Sequence, residues 1–337
     1  MNQVSTYIDR TRKHNLDFIK GLSILFVIIT HYSWNINQRL SMLFPFWIDM
    51  AVPMFMIISG YLFALSYQKK GCVTVIKCFR INEILKRVIR FTVPYLMMTL
   101  IEQLSLLLYF DKPIRIKDIV RTVASGGVGP GSYYYPILLQ FIIIMPLIYF
   151  LIYKFDYKGL LGCVSANLFF EIVKSGLFIS EGAYRLLIFR YITVIAFGCY
   201  FAIGKNKLKT GMRLSMLFIG IIYIIVFQYL AYTPFFMKYW TGTSMFACMY
   251  IVPIVSQLIK CEKLKFFPVE LLGRASYNIF LVQMAYYGIF ANWVYSKIDS
   301  VVLQFIISII ICVLLGVGFY FLETPLTKKL VRALKLL

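Results

Sequence analysis

The stretch that decides the fold runs from Leu16 to His31 and reads L-D-F-I-K-G-L-S-I-L-F-V-I-I-T-H. The apolar run it opens continues to about residue 34, which is enough helix to cross ~30 Å of hydrocarbon, a distance that takes roughly 20 residues. Basic residues precede it, as in a secretory signal. However, Asp17 and Lys20 intrude, and no cleavage site of the A-x-A kind follows, so the stretch reads as a retained helix.

Working outward, further runs of this kind fall near 46-67, 88-109, 133-153 and 159-179 in the first half of the chain. Others fall near 186-204, 212-231, 241-259, 275-294 and 301-322 in the second. The expectation is an all-α, polytopic transmembrane helical bundle of about ten spans, forming one membrane domain over residues 1-337 with no appended soluble domain. The fifth and eighth runs are the weakest, because Glu171, Lys174 and Gln257 interrupt or end them. Composition agrees with a membrane protein: 61% of the 337 residues are hydrophobic and only 15% are charged, more apolar than a soluble domain can hide.

The charge is strongly basic, with 35 Lys+Arg against 14 Asp+Glu. With the N-terminus inside, the inner segments carry Arg10, Arg12, Lys13 and Lys20, then the cluster from Lys69 to Arg90, then Lys154 and Lys158. They continue with Lys205, Lys207, Lys209 and Arg213, then Lys260, Lys263, Lys265 and Arg274, and close with Lys328, Lys329, Arg332 and Lys335. That is most of the basic residues, so the positive-inside rule places both termini in the cytoplasm and the chain in a cell membrane. The loop with Lys112, Arg115, Lys117 and Arg121 runs against the rule. Because topology accounts for the positive charge, nucleic-acid binding loses its support.

Seven cysteines (Cys72, Cys78, Cys163, Cys199, Cys248, Cys261 and Cys312) show no C-x-x-C and no paired spacing, and read as small apolar residues. Two histidines, His14 and His31, are too few for a histidine metal site, so no metal is expected.

Ionisable residues at membrane depth are costly and usually face a protein interior or a wet cavity. Lys20 and His31 are eleven residues apart, which puts them on nearly the same helix face, roughly 16 Å apart along the axis. Asp17 also reads as an i,i+3 partner of Lys20 near the interface. Arg87 and Arg90 lie one turn apart at the inner end of the third run. They read either as a grip on phosphates or as anchors at the anionic inner leaflet. Glu102 is an uncompensated acid in the outer half of the same run, and it reads as a second functional group or as a packing partner. Ser59 and Gly60 read as small residues that let two helices approach closely.

The chain also resembles a known family. L-D-F-I-K-G-L-S-I-L-F-V-I-I-T-H is similar to the first-helix signature of the membrane-bound acyltransferase 3 family, with Lys20 and His31 at its basic and histidine positions. V-P-M-F-M-I-I-S-G-Y-L matches the family's S-G-F/Y element at Ser59, Gly60 and Tyr61. The R-x-x-R element before a proline is found at Arg87, Arg90 and Pro94. L-G-R-A-S-Y-N-I-F-L-V-Q resembles a later family stretch, and F-L-E-T-P the closing E-x-P, at Glu323 and Pro325. Two departures stand out: Gln283 replaces a frequent histidine, and Y-Y-Y-P opens the fourth run where a Trp-Phe pair is common.

The resemblance implies transfer of an acyl group, commonly acetyl, from a cytoplasmic acyl-CoA (acetyl-CoA above all) to a hydroxyl of a glycan or lipid-linked saccharide at a bacterial membrane. In that reading Lys20, Arg87 and Arg90 hold the CoA phosphates and His31 is the general base, oriented by Asp49 or Glu102. Gln283 offers a hydrogen bond, and Glu323 is either catalytic or part of an ion pair that fixes the last helix. The rival expectations are a transporter or flippase for a lipid-linked saccharide and a structural subunit. The absence of a visible internal repeat counts against transport.

Overall fold

The structure, a computed structural model, describes residues 14–111, 113, 115–176, 179–204, 208–231 and 245–334. Arg10, Arg12, Lys13, Lys112, Lys205, Lys207, Lys335 and the start of the eighth run lie outside the described residues. The described chain is helical throughout. Its principal helices are α1 (His14–His31), α2 (Ala51–Lys69), α3 (Ile81–Phe110), α4 (Tyr134–Phe155), α5 (Tyr157–Gly176), α6 (Ile192–Ile203), α7 (Thr210–Ile224), α8 (Ile251–Leu258), α9 (Phe267–Arg274), α10 (Ser276–Ala285) and α11 (Val301–Ala333).

Each of the ten apolar runs falls on helix, but among the described residues only five helical stretches are long and apolar enough to cross a membrane: Phe44–Lys69, Val75–Phe110, Tyr134–Phe155, Thr210–Tyr229 and Val301–Ala333. Ile188–Ile203 and Met245–Leu258 are apolar but shorter. The shortfall has local causes. α1 carries Asn15, Asp17 and Lys20 among its apolar residues, and α5 carries Glu171 and Lys174. The ninth run is continuous through α10, a π-helical turn at Tyr286–Phe290 and the short helix Ala291–Tyr295, but it carries Ser276, Asn278, Gln283 and Asn292 among its apolar residues.

Glycines set the closest crossings. A Cβ on Gly21 would lie 2.0 Å from the Val269 carbonyl oxygen, and one on Gly273 would lie 1.8 Å from the Asp17 carbonyl oxygen, so α1 and α9 touch backbone to backbone. The α2–α6 pair is built the same way, with Gly60 against Ile195 (2.3 Å) and Gly198 against Ile57 (1.9 Å). Lipid tails are as apolar as the helices themselves, so helices in a bilayer associate through such tight van der Waals contact. Gly60 thus lies where α2 meets the α6 backbone, and Tyr61 is buried beside it. Six of the seven cysteines are buried; Cys261 is half-buried.

The charges that weaken the fifth run are buried against other helices. The Tyr184 hydroxyl donates to Glu171 Oε1 at 2.6 Å. Lys174 Nζ lies 3.8 Å from Glu171 Oε2 and 3.5 Å from the centre of the Tyr184 ring. The Asn167 side chain accepts from the Thr193 amide at 3.1 Å, so α5 serves the open N-terminus of α6.

These contacts yield two predictions. Gly198→Ala forces a Cβ into backbone and should cost about 1–3 kcal/mol, seen as a lower thermal unfolding midpoint in detergent. Gly211→Ala, with nothing within 4 Å, should leave the midpoint unchanged. Glu171→Ala removes the buried carboxylate that faces Lys174 and accepts from Tyr184, and should cost about 3–5 kcal/mol. Pairing it with Lys174→Met should recover part of the lost midpoint.

Candidate functional site

His31 is the last residue of α1, where four backbone carbonyls lose their intrahelical partners. Three side chains serve that end. Tyr287 donates to the Ile28 carbonyl at 3.1 Å, the Trp34 indole to Ile29 at 2.7 Å, and Arg39 Nη1 to Thr30 at 3.2 Å. The backbone beneath the imidazole is thus held from three directions. Arg39 comes from a short helix, Ile36–Ser41, closed at its start by a reciprocal capping box between Asn35 and Gln38.

Beside His31, Arg39 pairs with Asp49 and also donates to Thr30 Oγ1 at 3.2 Å, while Thr30 Oγ1 donates to Asp49 Oδ1 at 3.1 Å. Asp49 therefore holds Arg39 and Thr30. From the opposite side comes the loop before α4. Gly131 adopts φ +89°, a conformation open to glycine, and a Cβ there would sit 3.3 Å from His31 Nε2. Only a residue without a side chain lets the loop backbone lie against the imidazole.

His31 is half-buried and opens into a cavity of about 300 Å³, shared with Thr30, Arg39, Asp49, Tyr133, Tyr134 and Gln228 among others. A second cavity, of about 260 Å³, adjoins it through Val27, Val52, Tyr134 and Phe280, and Ser59 stands in its wall. A third, of about 780 Å³, adjoins the second through Lys20, Phe63, Phe91, Arg274 and Tyr277. Three adjoining chambers thus run along one face of α1, with His31 at one end, an apolar waist in the middle, and Lys20, Arg87 and Arg90 at the other.

The cations at the wide end differ in what they are bound to. Lys20 pairs with Asp17 at 2.7 Å. Arg87 is buried and fixed: Nη1 donates to the Tyr67 hydroxyl at 2.7 Å and Nη2 to Ser66 Oγ at 3.1 Å, and the guanidinium stacks on the rings of Phe63 (4.1 Å) and Tyr67 (4.6 Å). The groups it bonds and stacks on are all neutral; Glu83, one turn earlier, feels its charge but is paired with Lys70, so among the described residues Arg87 is oriented and has no carboxylate within ion-pair distance. Arg90 is exposed and likewise without a carboxylate partner.

Glu323 also lines the wide chamber and is buried, but among the described residues it makes no ion pair. It accepts from Asn278 Nδ2 at 3.1 Å and from Thr327 Oγ1, so it ties α10 to α11 through neutral donors. The expected ion pair is corrected to these hydrogen bonds, because the nearest groups are an amide and a hydroxyl one turn on.

Glu102 and Gln283 stand apart from the His31 cavity. Glu102 is 1% exposed on α3, and neither carboxylate oxygen has a hydrogen-bond partner among the described residues. Gln283 Nε2 donates to the Pro130 carbonyl at 3.3 Å, which braces the Gly131 loop, while its Oε1 is unpartnered. Residues that sequence reasoning missed are Arg39, Gly131, Arg274, Lys328 and Arg332. The last two are visible in the sequence as an i,i+4 basic pair after the Glu323–Pro325 element.

A protein-family model described as an acyltransferase domain, Acyl_transf_3, matches residues 13–321. No curated protein and no solved structure matches the chain. The match covers nearly the whole sequence and includes α1, the paired arginines of α3 and the Asn278 region of α10; the chain belongs to the acyltransferase 3 family of membrane acyltransferases.

Proposed function

We propose that the protein transfers an acyl group, acetyl in the first instance, from a cytoplasmic acyl-CoA to a hydroxyl of a surface glycan or lipid-linked saccharide, with His31 as the general base. The observation that carries this reading is the row of three chambers that joins Lys20, Arg87 and Arg90 to His31. A CoA thioester has that form: a polyanionic head, a thin arm and a reactive carbonyl at the tip.

The same reading fixes a topology. About ten crossings with both termini inside put Lys20, Arg87 and Arg90 on the cytoplasmic side, where acyl-CoA is made, and His31 toward the outer half of a bacterial cytoplasmic membrane. The single domain spans residues 1-337, and no metal takes part.

Arg87, already oriented by Ser66 and Tyr67, meets a phosphate without further ordering, so little entropy is lost on binding. The arm passes the waist beside Phe63, Phe91 and Phe280, where an apolar wall keeps water from the thioester. At the narrow end the imidazole accepts the proton of the acceptor hydroxyl as its oxygen attacks the thioester carbonyl carbon. The tetrahedral adduct collapses with loss of the carbon–sulfur bond, and the leaving thiolate takes the proton back from the imidazolium. An imidazole has the basicity for both steps near pH 7. Asp49 acts through Arg39, which holds the end of α1, so it is a positioning residue for His31.

The test compares wild type with His31→Ala in membranes given radiolabelled acetyl-CoA. The variant should bind acetyl-CoA within about twofold of wild type, while label transferred to carbohydrate should fall on the order of 100-fold or more. Wild-type protein that binds no acetyl-CoA, or a variant with full transfer, would overturn the reading.

A further inference from the structure

The wide chamber contains more positive charge than a diphosphate needs, and the surplus sits on one helix. α11 runs unbroken from Val301 to Ala333 and lines the chamber with Glu323, Thr327, Lys328 and Arg332. Lys328 and Arg332 are four residues apart and so share a face of the helix. Both lie beyond residue 321, where the family match ends.

Ion pairing sorts the cations of this chamber. Lys20 is matched by Asp17, and Arg274 Nη2 lies 3.8 Å from Glu270 Oε2. Thr327 is turned to Glu323. Four cations remain with no carboxylate partner among the described residues, and they form two pairs: Arg87 with Arg90 on α3, and Lys328 with Arg332 on α11. Two separate pairs on two facing helices suit two separate anionic groups.

Position assigns the groups. The wall shared with the middle chamber includes Lys20, Phe63, Phe91 and Arg274, and no residue of α11 belongs to it. From Glu323 to Arg332 the helix climbs ~13 Å away from the level of Asn278. Lys328 and Arg332 are therefore on the side of the chamber remote from His31. In coenzyme A the group most remote from the thioester, after the arm and the diphosphate, is the phosphate monoester on the 3′ carbon of the ribose. A phosphate monoester carries nearly two negative charges at neutral pH, which two unneutralised cations match.

We propose that Lys328 and Arg332 form a subsite for the 3′-phosphate of a coenzyme A donor and make the protein select CoA over dephospho-CoA. This rests on the acyl-CoA reading given above. Arg87 and Arg90 take the diphosphate common to both molecules, so the preference belongs to α11 alone. Both α11 side chains are exposed at the chamber rim, and replacing them should leave the packed helices intact.

The experiment is a calorimetric titration of the full chain in phosphatidylcholine nanodiscs with CoA and with dephospho-CoA. Wild type should bind CoA about tenfold more tightly or better. The double variant Lys328→Gln/Arg332→Gln should bind dephospho-CoA within about twofold of wild type and lose the preference. Equal binding of the two ligands by wild type, or a variant that loses both equally, overturns the subsite while leaving the acyl-CoA reading standing. A wild type that binds neither overturns both. Repeating the titration with phosphatidylglycerol in the nanodisc separates the ligand from a lipid headgroup. The preference should survive; its abolition would assign these cations to anionic lipid and overturn the subsite.

Discussion

A polar group enclosed by apolar helices has no water to turn to and must find its partner inside the protein, and α1 meets that constraint along its whole length. Asn15 donates to the Ile259 carbonyl at 2.5 Å, Asp17 pairs with Lys20, and Ser23 bonds back to Ile19 at 2.8 Å. The last carbonyls are taken by Tyr287, Trp34 and Arg39. Those partners from outside the helix come from three separate segments: the end of α8, the stretch just after α1 with its short helix, and the π-helical turn after α10. The first helix thus acts as the post to which the others are tied. The two groups on it that are not wholly consumed by structure, the Lys20 ammonium and the His31 imidazole, both face the row of chambers.

Charge in this bundle falls into two classes. Glu171, Lys174 and Arg190 are buried in contact with one another's aromatic neighbours: Arg190 lies 4.5 Å from the ring centre of Tyr191 and 5.0 Å from that of Tyr133. Tyr133 in turn lines the His31 cavity, so this cluster is a brace behind one of its walls. The arginines of the wide chamber are the opposite case. Arg87 is oriented by neutral hydroxyls and rings, and its charge, like that of Arg90 beside it, has no carboxylate partner among the described residues. A bundle that invests buried ion pairs in one place and leaves cations unmatched in another separates the work of holding a shape from the work of binding an anion.

The helices themselves were legible in the sequence, because runs of apolar residues long enough for a bilayer have few other uses, and each run falls on helix. The number of uninterrupted crossings was less legible. Asp17 and Lys20 in α1, Glu171 and Lys174 in α5, and Asn278 and Gln283 in the ninth run interrupt the apolar pattern, and it takes packing to show that Asp17, Glu171, Lys174, Asn278 and Gln283 are buried against protein. Lys20 and His31 were legible because a helix fixes the angle between residues eleven apart. Arg39 and Gly131 were not legible as neighbours of His31, since they come from separate segments and meet only in the folded chain; Asp49 was a candidate beside the imidazole, but its link through Arg39 and Thr30 was not legible. The same is true of Glu323, whose partner Asn278 lies forty-five residues earlier. Glu102 illustrates the converse: an acid conspicuous in the sequence that the fold leaves buried away from the imidazole.

The π-helical turn at Tyr286–Phe290 sends two adjacent tyrosines to different helices. Tyr286 bonds Ser308 of α11 at 3.0 Å, and Tyr287 bonds the end of α1. Beyond the turn, Tyr295 reaches the same Ser308 at 2.9 Å. A π turn holds one residue more than an α turn, so the register of everything after it is set by that single surplus residue. Chain length here acts as a phase. Removing one residue would swing the following turn by about 100° and send Tyr295 elsewhere, so this stretch should tolerate substitution far better than it tolerates insertion or deletion.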